Sequence, residues 1–339
     1  MIELEGIGKR YGDAWVVERL DLQVAEGELL ALVGGSDFAT RPYNRASVAR
    51  RQPGSAFKPL LFACAVEQGF TQASLLLDAP VVFRGADQGR DWKPENFGRS
   101  FDGEMPLRKA LALSKNIPAV RLMEKVGPHA VVRFAHRLGI ESPLQPNLAL
   151  ALGAAELTLE ELTAAYAVFA RQGNHVRPFG VAEVQDRAGR VVWRARPQKS
   201  AVMSREDAAI TTDLLAAVIH EGTGRDAGVL EHPLAGKTGT TNEYRDALFV
   251  GFSPEIAAGV WVGRDDQHPI GPEATGAHAA LPIWIDFMRA ALAGRPTAGF
   301  DAPADLTRVL IDPDSGRLAD PAAAGAVGAL FRKGSSPRP

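Results

Sequence analysis

Pro53-Gly54-Ser55-Ala56-Phe57-Lys58-Pro59-Leu60-Leu61-Phe62-Ala63-Cys64-Ala65-Val66 is the stretch that decides the fold of this chain. From Ser55 to Val66 its residues are apolar nearly all round, which predicts a helix buried in the middle of a domain rather than one lying on its surface. Ser55 stands at the first turn of that helix. A three-residue helical offset sets the Ser55 hydroxyl and the Lys58 amine on one face, within reach of each other. Among apolar neighbours the amine is expected to have a depressed pKa, so that part of it is neutral and able to take the serine proton. Ser-x-x-Lys alone arises by chance about once in a chain of this length, so its meaning depends on its company. Cys64, the single cysteine, lies inside the same apolar run and reads as a buried inert thiol.

Outward from this helix, residues 106–113, 118–125, 128–138, 158–172 and 204–221 show helical periodicity. Thr158 with Glu161, and Ser204 with Asp207, have the spacing of capping boxes. After residue 234 the pattern changes to short apolar runs bounded by turn residues, which predicts strands over 234–241, 247–252 and 256–263 in an antiparallel meander. A helix over 282–293 follows, with Ile283, Trp284, Phe287, Met288 and Leu292 able to lie on one sheet face. Near the start, an alternating run over 20–24 and an apolar run over 29–33 flank Glu26-Gly27 and predict a hairpin. The fold expected is α/β: an antiparallel sheet flanked by helices, with an inserted all-helical subdomain at about residues 70–220. Residues 321–339 read as a C-terminal tail, disordered over 333–339.

Two further motifs have chemical content. In Ser114-Lys115-Asn116 the serine can pass a proton to a leaving amine and the Asn116 amide can hydrogen-bond a substrate backbone; Asn116 can equally be the N-cap of the next helix. In Lys237-Thr238-Gly239-Thr240, on a predicted strand, the missing side chain of Gly239 lets a substrate backbone approach, Lys237 offers charge to a carboxylate and the threonines offer hydroxyls. The same pattern also describes a glycine-interrupted edge strand with a solvent-facing lysine.

Ser-x-x-Lys, Ser-x-Asn and Lys-Thr-Gly, in that order, are the motif set of penicillin-binding proteins and serine β-lactamases, and the chain resembles the transpeptidase domain of class A penicillin-binding proteins. The similar stretches are Arg51-Gln52-Pro53-Gly54-Ser55, Trp92-Lys93-Pro94-Glu95-Asn96-Phe97, Glu221-Gly222-Thr223-Gly224, residues 236–245, Phe249-Val250-Gly251-Phe252 and Pro282-Ile283-Trp284. They place a domain of that kind over residues 29–320, with a β-lactamase/transpeptidase-like fold. The resemblance implies that Ser55 attacks the carbonyl between the last two D-alanines of a peptidoglycan stem peptide and that an amine from a neighbouring strand resolves the acyl-enzyme. It implies Lys58 as general base, Ser114 and Lys237 as the proton path to departing D-alanine, and Asn116, Thr238, Gly239 and Thr240 as substrate-binding residues. Backbone N–H groups of Ser55 and Thr240 would form the oxyanion hole. β-Lactam antibiotics would acylate Ser55, and no cofactor is implied. A serine β-lactamase or D,D-carboxypeptidase shares the motifs, but Glu156, Glu160 and Glu161 fit a helix start better than a deacylating base. A non-catalytic penicillin-binding sensor or inactive fusion product is the remaining alternative.

Residues 1–28 depart from that family and resemble the opening of an ABC transporter ATPase, in Ile2-Glu3-Leu4, Lys9-Arg10-Tyr11-Gly12 and Gly27-Glu28-Leu29-Leu30-Ala31-Leu32-Val33-Gly34. A phosphate loop counted from Gly34 needs glycine and lysine where Ala39 and Thr40 stand, so no ATP binding is expected and the leader forms at most an edge hairpin. The family works at the outer face of the cytoplasmic membrane or in the periplasm, whereas a start with neither signal peptide nor apolar span implies the cytoplasm; polymerising activity is not expected. With 38 Lys plus Arg against 40 Asp plus Glu, the net charge of -2 gives no polyelectrolyte signal for nucleic acid. Seven histidines include no metal-binding pair on a helix.

Overall fold

The computed structural model describes residues 2–11, 14–24, 34, 43–87, 89–295 and 297–337, with the backbone alone for 2–11, 14–24, 86, 87 and 242. Strands β1 (Ile2–Tyr11) and β2 (Ala14–Val24) pair antiparallel, Leu22 facing Leu4 and Val24 facing Ile2. Residues 20–24 therefore pair with the chain before them, and the expected second arm, 29–33, lies outside the described residues. Only Gly12-Asp13 separates the two strands in sequence, which favours the local pairing. Among the described residues this hairpin is a sheet of its own and not an edge of the larger one.

A 3-10 turn, Gly54–Phe57, leads into α1 (Lys58–Glu67), where every residue from Lys58 to Val66 is buried, as the all-round apolar run requires. Strands β3 (Leu75–Asp78), β4 (Phe83–Asp87), β5 (Arg90–Trp92) and β6 (Gly103–Pro106) follow, β3 paired with β6 and β4 with β5. Then come α2 (Leu107–Ala112), α3 (Asn116–Val126), α4 (Pro128–Arg137) and α5 (Leu159–Ala170). Thr158 and Glu161 make the full reciprocal capping box at the start of α5. Strands β7 (Asn174–Val176), β8 (Glu183–Gln185), β9 (Val191–Arg194) and β10 (Lys199–Ala201) pair as β7 with β10 and β8 with β9. Helix α6 (Arg205–His220) is capped by Ser204, whose hydroxyl accepts from the Asp207 N–H.

The antiparallel meander is present as β11 (Ala235–Thr240), β12 (Asp246–Phe252) and β13 (Ala257–Gly263), in that order across the sheet. Helices cover both faces. Leu248, Val250 and Phe252 of β12 join the core that holds α1, α3 and α6, while Phe249 between them joins a second core with α7 (Leu281–Leu292) through Leu281, Trp284 and Met288. This alternation is the two-residue period of a strand buried on both sides. Phe249 and Trp284 meet with ring centroids 4.8 Å apart.

Two expectations need correction. The inserted subdomain is not all helical, because residues 70–220 also hold four two-stranded ladders; β3 shows why, exposing Leu75 and Leu77 while burying Leu76 and Asp78 at strand period. Residues 321–339 are not merely a tail: β14 (Leu306–Ile311) pairs with β15 (Val327–Arg332), whose Ala329, Leu330 and Phe331 are buried. Arg332 reaches Asp207 at 2.6 Å and Arg308 reaches Asp213 at 2.7 Å, so this hairpin is tied to α6. Among the described residues, no helix is long and apolar enough to cross a membrane.

Candidate active site

Ser55 lies half-buried on the turn that enters α1, and glycines let that turn touch the edge strand β11 backbone to backbone. Gly54 has φ +53, and a Cβ there would stand 2.5 Å from the Thr240 carbonyl oxygen. A Cβ on Gly239 would stand 2.4 Å from the Pro53 carbonyl oxygen. Neither position admits a side chain without moving the Ser55 turn away from Thr240. From the other side the Tyr166 hydroxyl donates to the Ala56 carbonyl at 2.7 Å and pins the turn.

Two lysines converge on Ser114. The Lys58 Nζ donates to the Ser114 carbonyl at 2.6 Å and to Asn116 Oδ1 at 2.8 Å, and stands 3.4 Å from Ser114 Oγ. The Lys237 Nζ donates to Ser114 Oγ at 2.8 Å and to the Thr238 carbonyl at 3.1 Å. Both side chains are fully buried, and among the described residues no carboxylate pairs with either amine. Burial, with the nearby charge of Lys237, holds the Lys58 amine well below the usual lysine range; burial brings Lys237 down to about 7. Ser114 itself is held at φ 58, a left-handed conformation that a serine adopts at a cost.

The Ser114-Lys115-Asn116 turn is clamped from outside. Fully buried Asp78 takes the Asn96 side-chain amide at 2.6 Å, the Asp102 N–H at 3.1 Å and the Lys115 ammonium at 3.3 Å. Asn96 Oδ1 in turn accepts from the N–H groups of Asn116 and Ile117, at 2.9 and 3.2 Å. Lys115 therefore occupies the N-cap position of α3 and a distant asparagine satisfies the helix start, which frees the Asn116 amide oxygen for Lys58. On β11, Thr238 Oγ1 shares a 2.7 Å hydrogen bond with Thr223 Oγ1, and Thr240 Oγ1 accepts from the Gly276 N–H at 3.0 Å.

The three motifs thus meet. Lys58, Ser114, Asn116, Lys237 and Thr238 share one hydrogen-bond network, while Gly239 and Thr240 lie against the turn of Ser55. Among the described residues the Ser55 hydroxyl makes no hydrogen bond to this network. β11 is an edge strand, but Lys237 is buried in the cleft, which removes the reading of a solvent-facing lysine. Sequence reasoning assigned no role to Asp78, Asn96 or Thr223; the latter two stand in stretches already noted for resemblance, and Asp78 ends a strand whose alternation points it inward. An apolar cavity of about 490 Å³ beside β13, lined by Leu157, Leu162 and Trp261 among others, touches no residue of the three motifs.

A serine on the turn into a buried helix, a glycine-bearing edge strand against that turn and two buried amines on a neighbouring serine are parts that serine acyl transfer can use. The chain belongs to the penicillin-binding protein transpeptidase domain family, whose model matches residues 22–288. That match begins within β2, ahead of residue 29. The chain is similar to penicillin-binding protein 1A of Aquifex aeolicus, 40% identical over 318 residues that cover 94% of this chain and 44% of the relative. Penicillin-binding protein 1A of Pseudomonas aeruginosa is 34% identical over 370 residues, covering 94% and 45%. The crystal structure of penicillin-binding protein 1A from Haemophilus influenzae superposes with a TM-score of 0.83 at 30% identity, over 90% of this chain and 51% of that one. The chain spans about half the length of the relatives it matches.

Proposed function

We propose that this domain is a D,D-transpeptidase that cross-links peptidoglycan stem peptides through an acyl-enzyme on Ser55, and that β-lactams acylate the same serine. The observation that carries this reading is the pair of fully buried lysines, without carboxylate partners among the described residues, that both hydrogen-bond Ser114, Lys58 through its carbonyl and Lys237 through its hydroxyl. Lys58, its pKa lowered by burial, takes the proton as Ser55 Oγ attacks the carbonyl carbon of the penultimate D-alanine. That proton passes through Ser114, with Lys237 as its donor neighbour, to the nitrogen of the departing D-alanine. Asn116 orients the donor peptide; Thr238 and Thr240 hold its carboxylate, while Gly239 lets the Ser55 turn pack against their strand instead of making room for substrate as its sequence suggested. The N–H groups of Ser55 and Thr240, on backbones packed together at Gly54, bind the oxyanion, an arrangement whose loss typically costs about 10²–10³ in rate. The reaction would take place where its substrate is, outside the cytoplasmic membrane.

Of Glu156, Glu160 and Glu161, which by sequence fit a helix start better than a deacylating base, Glu161 is occupied: it closes the capping box with Thr158 and accepts from the Ser142 hydroxyl at 2.7 Å. A carboxylate so engaged does not activate water, and on this reading the ester is left for an amine. Mass spectrometry of the intact protein after incubation with penicillin should show one adduct, located on the Ser55 peptide and lost in Ser55→Ala. Fast, repeated hydrolysis of nitrocefin would replace this reading with a β-lactamase, and the lack of any adduct would replace it with an inactive domain.

A further inference from the structure

Thr238 and Thr240 stand two residues apart on β11, so both hydroxyls lie on one face of the strand. A hydroxyl has one proton to give and two lone pairs that accept. The Gly276 N–H, which can only donate, fills one lone pair of Thr240 Oγ1 at 3.0 Å, and that hydroxyl has no other hydrogen-bond partner among the described residues. A Cβ on Gly276 would stand 2.5 Å from the Gly239 carbonyl oxygen, so close backbone packing keeps this donor against β11. Thr240 is thereby left to give its proton outward. Thr238 is supplied differently. Its Oγ1 lies 3.3 Å from the Lys237 Nζ and 2.7 Å from Thr223 Oγ1, and either threonine can be the donor in that pair. Thr223 Oγ1 has no other hydrogen-bond partner among the described residues. The turn that carries Thr223 is fixed to the end of α2: its N–H donates to the Ala112 carbonyl at 3.2 Å, a Cβ on Gly222 would collide with that same oxygen, and Glu221 pairs with the buried Arg108 at 2.7 Å.

We propose that Thr223 is a positioning residue that sets the preference of this cleft for a carboxylate over a carboxamide: it donates to Thr238 Oγ1, so that Thr238, like Thr240, meets the substrate as a donor. The inference rests on the transpeptidase reading above. With Lys237 and Thr223 filling both lone pairs of Thr238 Oγ1, the Thr238 proton is the group that remains for the substrate. In the empty cleft that proton can lie toward Thr223. A carboxylate, which only accepts, draws it away, and Thr223 then turns its own proton to Thr238 behind it. The second bond polarises the first and strengthens it. A primary amide in the same place brings N–H protons that find both threonines already engaged as donors, and an unpaired amide N–H in a cleft is costly. Without the Thr223 hydroxyl, Thr238 Oγ1 regains an open lone pair that such an amide can use. Thr223 thus acts on the choice of head group through Thr238 and without touching the substrate.

The test acylates the full chain with two synthetic thioesters of the same acyl-D-alanine, whose leaving groups differ only in ending in a carboxylate or in its primary amide. First-turnover rates of thiol release give a carboxylate-to-amide preference for each variant. The wild type should favour the carboxylate. Thr223→Val, close in shape but without the hydroxyl, should cut that preference about fivefold, the scale of one neutral hydrogen bond. Thr223→Ser, which keeps the hydroxyl, should hold most of it. In a Thr238→Val background, Thr223→Val should change the preference no further. Labelling of Ser55 by penicillin is read in parallel by mass spectrometry. Acylation with no preference in the wild type, with the preference intact in Thr223→Val, with an equal loss in Thr223→Ser, or with an effect of Thr223→Val that persists without the Thr238 hydroxyl overturns the role of Thr223 and leaves the transpeptidase reading standing. Absence of acylation by the thioesters and by penicillin overturns both. If Thr223→Val fails to fold in a thermal melt, Thr223→Ala, which removes the same hydroxyl, is read in its place.

Discussion

Buried charge is handled in opposite ways at two places about α6. In the cleft, Lys58 and Lys237 are surrounded by neutral acceptors and are pushed toward the uncharged form. Behind α2, the buried Arg108 donates to Asp213 at 3.1 Å, to Glu221 at 2.7 Å and to Gln72 at 2.8 Å. Asp213 also accepts from Gln72, from Arg308 of β14 and from the Leu330 N–H of β15. In the second place every cation has an anion, and the result is a joint between α2, α6 and the C-terminal hairpin. In the first, burial without carboxylate partners among the described residues favours the uncharged amine. Unpaired buried amines mark chemistry, and paired ones mark scaffold.

The comparison breaks most visibly at Lys58. Lys58→Ala should lower acylation by penicillin by about 10²–10⁴, the usual contribution of a positioned general base, with thermal stability kept or raised because a desolvated amine is gone. Lys58→Arg should fail as badly, since a guanidinium does not deprotonate. Time-resolved labelling with mass spectrometry measures both, and near-normal labelling of the arginine variant would exclude Lys58 as the base.

At the scaffold site the effects reverse. Asp213→Ala leaves Arg108 buried without its partner and should cost about 3–5 kcal/mol, read as a lower urea midpoint, whereas the protein that remains folded still acylates. Replacing the pair together, Arg108→Met with Asp213→Leu, should cost less than Asp213→Ala alone. Equal losses would mean that the pair is not coupled.

Titration sharpens the contrast. Lys237 has a pKa of about 7 in the folded protein against the ordinary 10.5, so between those values the unfolded chain binds more protons and stability rises with pH. The benefit is complete above the ordinary value and lost as pH falls through about 7, with a slope of at most about 1.4 kcal/mol per pH unit. Urea midpoints at about pH 7 and about pH 9.5 in the wild type and Lys237→Met should show the rise in the former and a smaller one in the latter. Acylation should decline on the alkaline side as Lys237 loses its proton. If that limb survives in Lys237→Arg, which stays charged, Lys237 is not its origin.

What the sequence made legible was local. Ser55 to Lys58, Ser114 to Asn116 and Lys237 to Thr240 each span one turn or strand, and the capping box at Thr158 and the meander of β11 to β13 are patterns within short windows. The residues that hold those motifs in place were not legible, because their contacts are distant in sequence: Asp78 reaches Lys115, Asn96 reaches Asn116, and Tyr166 reaches Ala56. The hairpin of β14 and β15 escaped for a related reason. Its strands are separated by Asp312-Pro313-Asp314-Ser315-Gly316 and an alanine-glycine run that reads as loop, and only the seating of Ala329 and Phe331 in the core shows that the second run is structural.

The smallest effect separates transpeptidase from β-lactamase without touching the cleft. Thr158 and Glu161 exchange hydrogen bonds at the start of α5, and Thr158→Ala should cost about 1 kcal/mol, as loss of an N-cap hydroxyl usually does. Glu161 also accepts from the N–H groups of Glu141 and Ser142, at 2.9 and 2.7 Å, and these bonds hold its carboxyl below the usual range even though burial pushes the other way. A carboxylate so engaged has neither the basicity nor the free lone pairs to activate water against an ester. Glu161→Gln keeps the shape and removes the charge, so the helix start should weaken by a similar amount while the lifetime of the penicilloyl-Ser55 adduct stays as it was. Both are read on one sample, by thermal melt and by the decay of the adduct in mass spectra. An adduct that persists longer in Glu161→Gln than in the wild type would assign Glu161 to deacylation and move the domain toward the hydrolases.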